Sequence, residues 1–143
     1  MQCEIILAGF PEVEVIRAKA LVLPEPISFW GDVSSTDGRL LQHSPCNDRE
    51  RLVGGSALFI RELRGSSSAS SVLLELIYRR LAPAAIILDS PDAILALGAI
   101  VGREMGWPTP PILRLPACAQ TVVPDGAKVV IAHTSISFSV DDS

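Results

Sequence analysis

Arg64-Gly65-Ser66-Ser67-Ser68 is the stretch of this chain whose residue types and spacing could do chemistry. It continues through Ala69 to Ser70-Ser71, so five serines fall in the six positions 66–71, directly ahead of the apolar run Val72-Leu73-Leu74-Glu75-Leu76-Ile77. Two uses fit the pattern. Serine is a good acceptor for the unpaired N–H groups of a helix's first turn, but one serine suffices for that. Alternatively, Gly65 permits close backbone approach, and the hydroxyls together with the helix N–H groups cradle a carboxylate or phosphate. Both readings stand on the residues alone. No Gly-Lys-Ser/Thr ends the loop, no Gly-x-Gly-x-x-Gly precedes it, and it is not a Gly-x-Ser-x-Gly elbow, so the common nucleotide and hydrolase motifs are absent.

Few other residues are placed for chemistry. Cys3, Cys46 and Cys118 are widely spaced, form no Cys-x-x-Cys, and have neither His43 nor His133 at finger-like spacing. Free thiols in a reducing compartment are expected, with no metal site built from this chain alone. His133 follows the apolar Val129-Val130-Ile131-Ala132, whereas a phosphocarrier histidine opens a helix. Phe29-Trp30 suits core or interface, and Asp32 and Asp37 flank a turn.

The elements that must hold the loop follow from periodicity. Glu4–Gly9 is an apolar strand segment, and Glu12–Leu23 alternates with period two before Pro24 and Pro26. Arg39–Gln42 is a candidate short strand, Ser44–Arg51 a charged loop, and Gly54–Ile60 a strand reached through glycines. Val72–Arg80 has helical length, and Ala84–Leu88 is a short, wholly apolar run, hence a buried strand. Ser90-Pro91 predicts an N-cap followed by proline at the first helical position, with the helix running to Met105 and Gly106 as its C-cap. That helix is apolar on most sides, which suits burial between sheet and partner. Ile112–Leu115 and Ala127–Ala132 complete the strands, and the tail 137–143 is expected to fray.

The 143 residues are 48% hydrophobic with a mean hydropathy of +0.38, and no apolar run reaches the length of a membrane span. No basic, apolar leader opens the chain, so a soluble, cytoplasmic protein is expected, its apolar surplus covered by a partner protein. A net charge of −4 without a basic tract argues against nucleic acid. A single α/β domain over residues 1–143 is the natural architecture, with a mixed sheet or squat barrel and flanking helices.

Several stretches together resemble the small-subunit domain of the aconitase X family. They are Pro26-Ile-Ser-Phe-Trp-Gly31, Asp37-Gly38-Arg39, Arg64-Gly-Ser-Ser-Ser68 leading into Leu73-Leu-Glu-Leu76, Ala82-Pro-Ala-Ala85 and Asp92-Ala-Ile-Leu-Ala-Leu-Gly-Ala99. The resemblance spans Pro26 to Leu115. It implies a swivelling β/β/α fold like the mobile domain of aconitase and a large partner subunit carrying an iron–sulfur cluster or iron. It also implies a hydro-lyase acting on a small hydroxy acid. The wording is closer to the bacterial type, which dehydrates cis-3-hydroxy-L-proline to Δ1-pyrroline-2-carboxylate, than to the archaeal type, which dehydrates mevalonate 5-phosphate. By the same resemblance Ser66 is the catalytic base, and Arg64, Gly65, Ser67 and Ser68 bind substrate. The family often has glycine where this chain has Leu63 and Ala69, and losing glycine restricts backbone angles. Those departures favour the rival expectation, a non-catalytic assembly or binding module of the same fold.

Overall fold

A computed structural model of the chain describes residues 1–7, 15–41, 51–65 and 67–140. The strands are β1 (Glu4–Leu7), β2 (Val15–Leu23), β3 (Ala57–Ile60), β4 (Ala85–Leu88), β5 (Ile112–Arg114), β6 (Lys128–Ala132) and β7 (Ser135–Ser139). The helices are α1 (Phe29–Asp32), α2 (Ala69–Tyr78), α3 (Ala93–Glu104) and α4 (Ala117–Gln120). The strands form one seven-stranded sheet in the order β1-β5-β4-β3-β2-β6-β7. Its centre, β2-β3-β4-β5, is parallel, while β1, β6 and β7 join antiparallel. The sheet curls until its edges meet: Gln2 bridges Ser135, and the Cys3 N–H donates to the Thr134 carbonyl at 2.8 Å. Such curling removes most of the unpaired edge that an open sheet exposes.

The segments paired in parallel along Ala20–Leu23, Ala57–Ile60 and Ala85–Leu88 are apolar throughout because both of their faces are buried. Leu21, Leu23, Leu58, Ile60, Ile86, Leu88 and Ile112 face one layer, where they meet Leu73, Leu76 and Ile77 of α2 and Leu95 and Ala99 of α3. Ala20, Val22, Phe59, Ile87 and Leu113 face the other way, into a second core closed by Val123, Val129, Ile131 and Ile136. Full burial of each large aliphatic side chain contributes about 1.5–3 kcal/mol. The two cores clamp the central strands from opposite sides.

Helices α2 and α3 are the crossovers between β3 and β4 and between β4 and β5, and both lie on the same face of the sheet. They therefore run side by side in the same direction, with both N-termini at the C-terminal rim of the parallel strands. Their contact is unusually close: a Cβ on Gly98 would sit 2.5 Å from the Ser70 carbonyl oxygen.

Several expectations need correction. The N-cap of α3 is Asp92, not Ser90; its side chain accepts from the Leu95 N–H, and Pro91 lies just outside the helix. Proline at the residue before the cap needs no N–H there, so both placements were compatible with Ser-Pro-Asp, and the Asp92 carboxylate is the stronger cap. At the other end Met105 holds the C-cap, and Gly106 follows it at φ +78°, donating to Arg103 as Trp107 donates to Gly102. That pairing is a Schellman closure. Residues 39–41 form no strand: Arg39 and Leu40 make only isolated bridges, to Leu52 and Val33. The tail does not fray at Ser137, because Ser137 to Ser139 continue β7 and pair with Val130 to Lys128. Gln42, His43, Cys46 and most of the charged loop lie outside the described residues, as do residues 141–143.

Gly98→Ala is expected to lower stability by about 1–3 kcal/mol despite alanine's better helix propensity, because the helices must separate to admit the methyl group. Urea unfolding of the two proteins measures the difference.

Candidate active-site loop

The loop of interest leaves β3 at the C-terminal rim. Its entry is pinned by main-chain bonds to the segment following β2: the Ile27 N–H donates to the Glu62 carbonyl (3.1 Å) and the Arg64 N–H to the Ile27 carbonyl (2.8 Å). Leu63 pairs with Ile27 and packs against the helix-side core. Beyond it Arg64, Gly65 and Ser67 are exposed, and the Arg64 guanidinium has no ion-pair partner among the described residues. Ser66 itself lies outside the described residues.

The serines do not share one role. Ser68 holds the N-cap position of α2 with its backbone already near-helical (φ −86°, ψ −6°), and its hydroxyl makes no capping bond. The Ser70 and Ser71 hydroxyls turn back to the Ser67 and Ser68 carbonyls, at 3.4 and 2.8 Å. The Ser68 side chain therefore does not cap α2. The N-terminus of α2, with its positive dipole end, opens toward the rim beside Arg64. The N-terminus of α3 stands next to it: Asp92 Oδ1 accepts from Leu95 N–H at 2.8 Å, and Asp92 Oδ2 faces Gly65.

The two missing glycines cost the loop nothing. Ala69 is the first residue of α2 and is buried in the core, while Leu63 is bridged and half-buried. Among the described residues the non-glycine positions with positive φ are Arg80 and His133 alone, so neither Leu63 nor Ala69 stands where glycine's freedom is needed.

The remaining candidates separate cleanly. Phe29 is fully buried, whereas its neighbour Trp30 is 64% exposed. Asp32 accepts from the Ser28 N–H at 2.8 Å. Asp37 accepts from the Arg39 N–H, which holds its carboxyl below the usual range. His133 lies in the β6–β7 turn at φ +56°, with no helix following it. Cys3 and Cys118 are free thiols, and partial burial raises the Cys3 thiol. Among the described residues no three His, Cys, Asp or Glu side chains converge, so these residues do not fit a metal centre. No described helix is long and apolar enough to cross a membrane. A shallow pocket bounded by Lys19, Arg51, Ser56 and Asp125 lies at the opposite end of the parallel strands, away from the loop. Asp92, whose carboxylate caps α3 and lies beside Gly65, had its signal in the sequence as an acid directly before an apolar helical run.

A curled mixed sheet with two helices on one face and a serine loop at its C-terminal rim defines a swivelling β/β/α domain. The chain matches the aconitase X swivel domain over residues 1–139, and it belongs to that family. It is 46% identical over 111 residues to the cis-3-hydroxy-L-proline dehydratase of Pseudomonas aeruginosa, covering 77% of this chain and 18% of that protein. It is 37% identical over 86 residues to the phosphomevalonate dehydratase small subunit of Methanothermobacter thermautotrophicus, covering 59% of this chain and 64% of that one. The chain thus spans under a fifth of the first relative and just under two thirds of the second. The fold matches Thermococcus kodakaraensis aconitase X in its holo form with a TM-score of 0.78, 22% identity and 97% coverage of both chains. A UPF0107 protein solved by NMR matches with a TM-score of 0.75, 26% identity and 98% coverage of both. The matched relatives are dehydratases by name.

Proposed function

We propose that this chain is the mobile half of a dehydratase acting on cis-3-hydroxy-L-proline, working with a large subunit that carries the metal centre. The observation that carries this reading is the 46% identity to a cis-3-hydroxy-L-proline dehydratase, against 37% for the phosphomevalonate relative. The exposed loop, and an Arg64 guanidinium with no ion-pair partner among the described residues, are consistent with it.

In this reaction the carbon next to the carboxylate loses a proton, the neighbouring carbon loses hydroxide, and the enamine product tautomerises to Δ1-pyrroline-2-carboxylate. Arg64 binds the substrate carboxylate, a task for which its planar fork is suited. Gly65 admits the substrate close to the backbone. The N–H groups of α2's first turn stabilise negative charge as it develops, and Ser67 and Ser68 supply further hydrogen bonds. Ser66 takes the proton. The Lewis acid that assists hydroxide departure is assigned to the large subunit.

The same reading accounts for α3. Leu97, Ile100 and Val101 are 54%, 42% and 37% exposed and line one side of the helix at i, i+3 and i+4 spacing. An outward apolar stripe beginning beside the loop suits the large subunit as its cover.

Two outcomes follow. With the large subunit present, Ser66→Ala is expected to lower kcat by about 10²–10⁴-fold while leaving thermal stability unchanged. Steady-state dehydration of cis-3-hydroxy-L-proline checks it; turnover of mevalonate 5-phosphate instead would reassign the substrate, and intact turnover in the variant would remove Ser66 as base. Leu97→Glu is expected to weaken binding of the large subunit by about tenfold or more, roughly 1.4 kcal/mol, measured by titration calorimetry.

A further inference from the structure

Two opposite charges stand beside Gly65 without neutralising each other. Arg64 precedes it in the chain, and its guanidinium forms no ion pair among the described residues. Asp92 approaches it from the start of α3. A helix cap uses one carboxylate oxygen, and Oδ1 serves that purpose by accepting from the Leu95 N–H at 2.8 Å. Oδ2 takes no hydrogen bond and no ion pair from a described residue. It lies 3.8 Å from the point that a Cβ on Gly65 would occupy. The chain neighbours of Gly65 aside, no other described heavy atom comes within 4 Å of that point. Glycine thus leaves open the space in front of Oδ2. The other carboxylate of the same β4–α3 connection, Asp89, is engaged elsewhere, its Oδ1 accepting from the Ala117 N–H at 2.7 Å.

A cation and an anion on either side of one glycine suit a zwitterion. We infer that Asp92 is a specificity-determining residue that binds the ring ammonium of a cyclic amino-acid substrate through Oδ2; the inference rests on the dehydratase reading. Cis-3-hydroxy-L-proline carries a carboxylate and a secondary ammonium on the same carbon. Arg64 takes the carboxylate, and Oδ2 accepts a charge-assisted hydrogen bond from the ammonium across the space that Gly65 leaves open. Because Oδ1 stays on the Leu95 N–H, α3 holds the carboxylate in place against the loop. Mevalonate 5-phosphate offers two anionic groups and no cation, so the same carboxylate repels it. Arg64 meets the carboxylate of either compound and does not discriminate; Asp92 does.

The test removes the charge and keeps the cap, in the complex with the large subunit. Asparagine caps about as well as aspartate, so Asp92→Asn is expected to keep the wild-type Tm. Its KM for cis-3-hydroxy-L-proline should rise about ten- to a hundredfold, as for a lost hydrogen bond between charged groups, with kcat changed less. Asp92→Ser, a second neutral cap, should reproduce that rise. The probe for charge is the oxygen isostere cis-3-hydroxytetrahydrofuran-2-carboxylate, which keeps the carboxylate and hydroxyl and lacks the ammonium. As a competitor of hydroxyproline turnover it should bind wild type and Asp92→Asn equally, within about twofold. An unchanged KM in both variants would overturn the inference and leave Asp92 a cap, with the dehydratase reading intact. Isostere binding that weakens in step with KM would overturn it too, since the loss would then not depend on the ammonium. Preference of the wild-type complex for mevalonate 5-phosphate rejects the inference while sparing the dehydratase class. A complex that dehydrates neither compound sinks that reading, and the inference with it.

Discussion

The contact between Gly98 and the Ser70 carbonyl governs much of this molecule. A Cβ at position 98 would come within 2.5 Å of that oxygen, so the first turn of α2 and the middle of α3 can lie together only because one side chain is missing. The contact fixes the lateral spacing of two helices that cross the same face of the sheet. It also fixes the distance between what their N-termini carry, the serine loop on one and the Asp92 carboxylate on the other. Gly102 continues the same seam further along α3, where a Cβ would press on Ile77 at 3.0 Å. Helix packing and loop geometry are thus set by one row of small residues.

From that constraint the division of the domain into a rigid and a working part follows. The central parallel strands are largely buried, and their C-terminal rim brings together the described segments of the candidate site. These are Ile27 to Trp30 after β2, the serine loop after β3, and Asp92 after β4. Ligands of open α/β sheets gather at that rim for the same geometric reason: helix N-termini and strand-end loops converge there. The antiparallel strands β6 and β7 close the opposite side and carry no cluster of reactive groups among the described residues.

Most of this architecture is legible in the sequence, because period-two alternation, apolar runs and a Schellman glycine each have one physical meaning. The strand segments and both long helices fall within a few residues of where periodicity places them, apart from the tail and from residues 39–41, which make only isolated bridges. The tail differs because Ser135-Ile136-Ser137-Phe138-Ser139 is polar at alternate positions. This is the pattern of a half-buried strand, but its weak apolar content resembles a fraying end. The Ser90-Pro91-Asp92 run offers two possible caps, and the choice turns on packing that no local pattern encodes. The loop is visible as a motif, yet its local roles are not: that the Ser70 and Ser71 hydroxyls bond backward while Ser68 makes no capping bond depends on where α2 begins. The glycine departures at Leu63 and Ala69 look consequential in a pattern and are neutral in the fold, since both side chains pack into the core.

The C-terminal rim and the outer stripe of α3 form the proposed working face. Amide hydrogen exchange of the chain, alone and with the proposed large subunit, reads this directly. The expected result is slowed exchange at residues 64–71 and 93–105 in the complex, with β6 and β7 unchanged. Protection confined to the β6–β7 hairpin, with the serine loop and α3 unaffected, would contradict it.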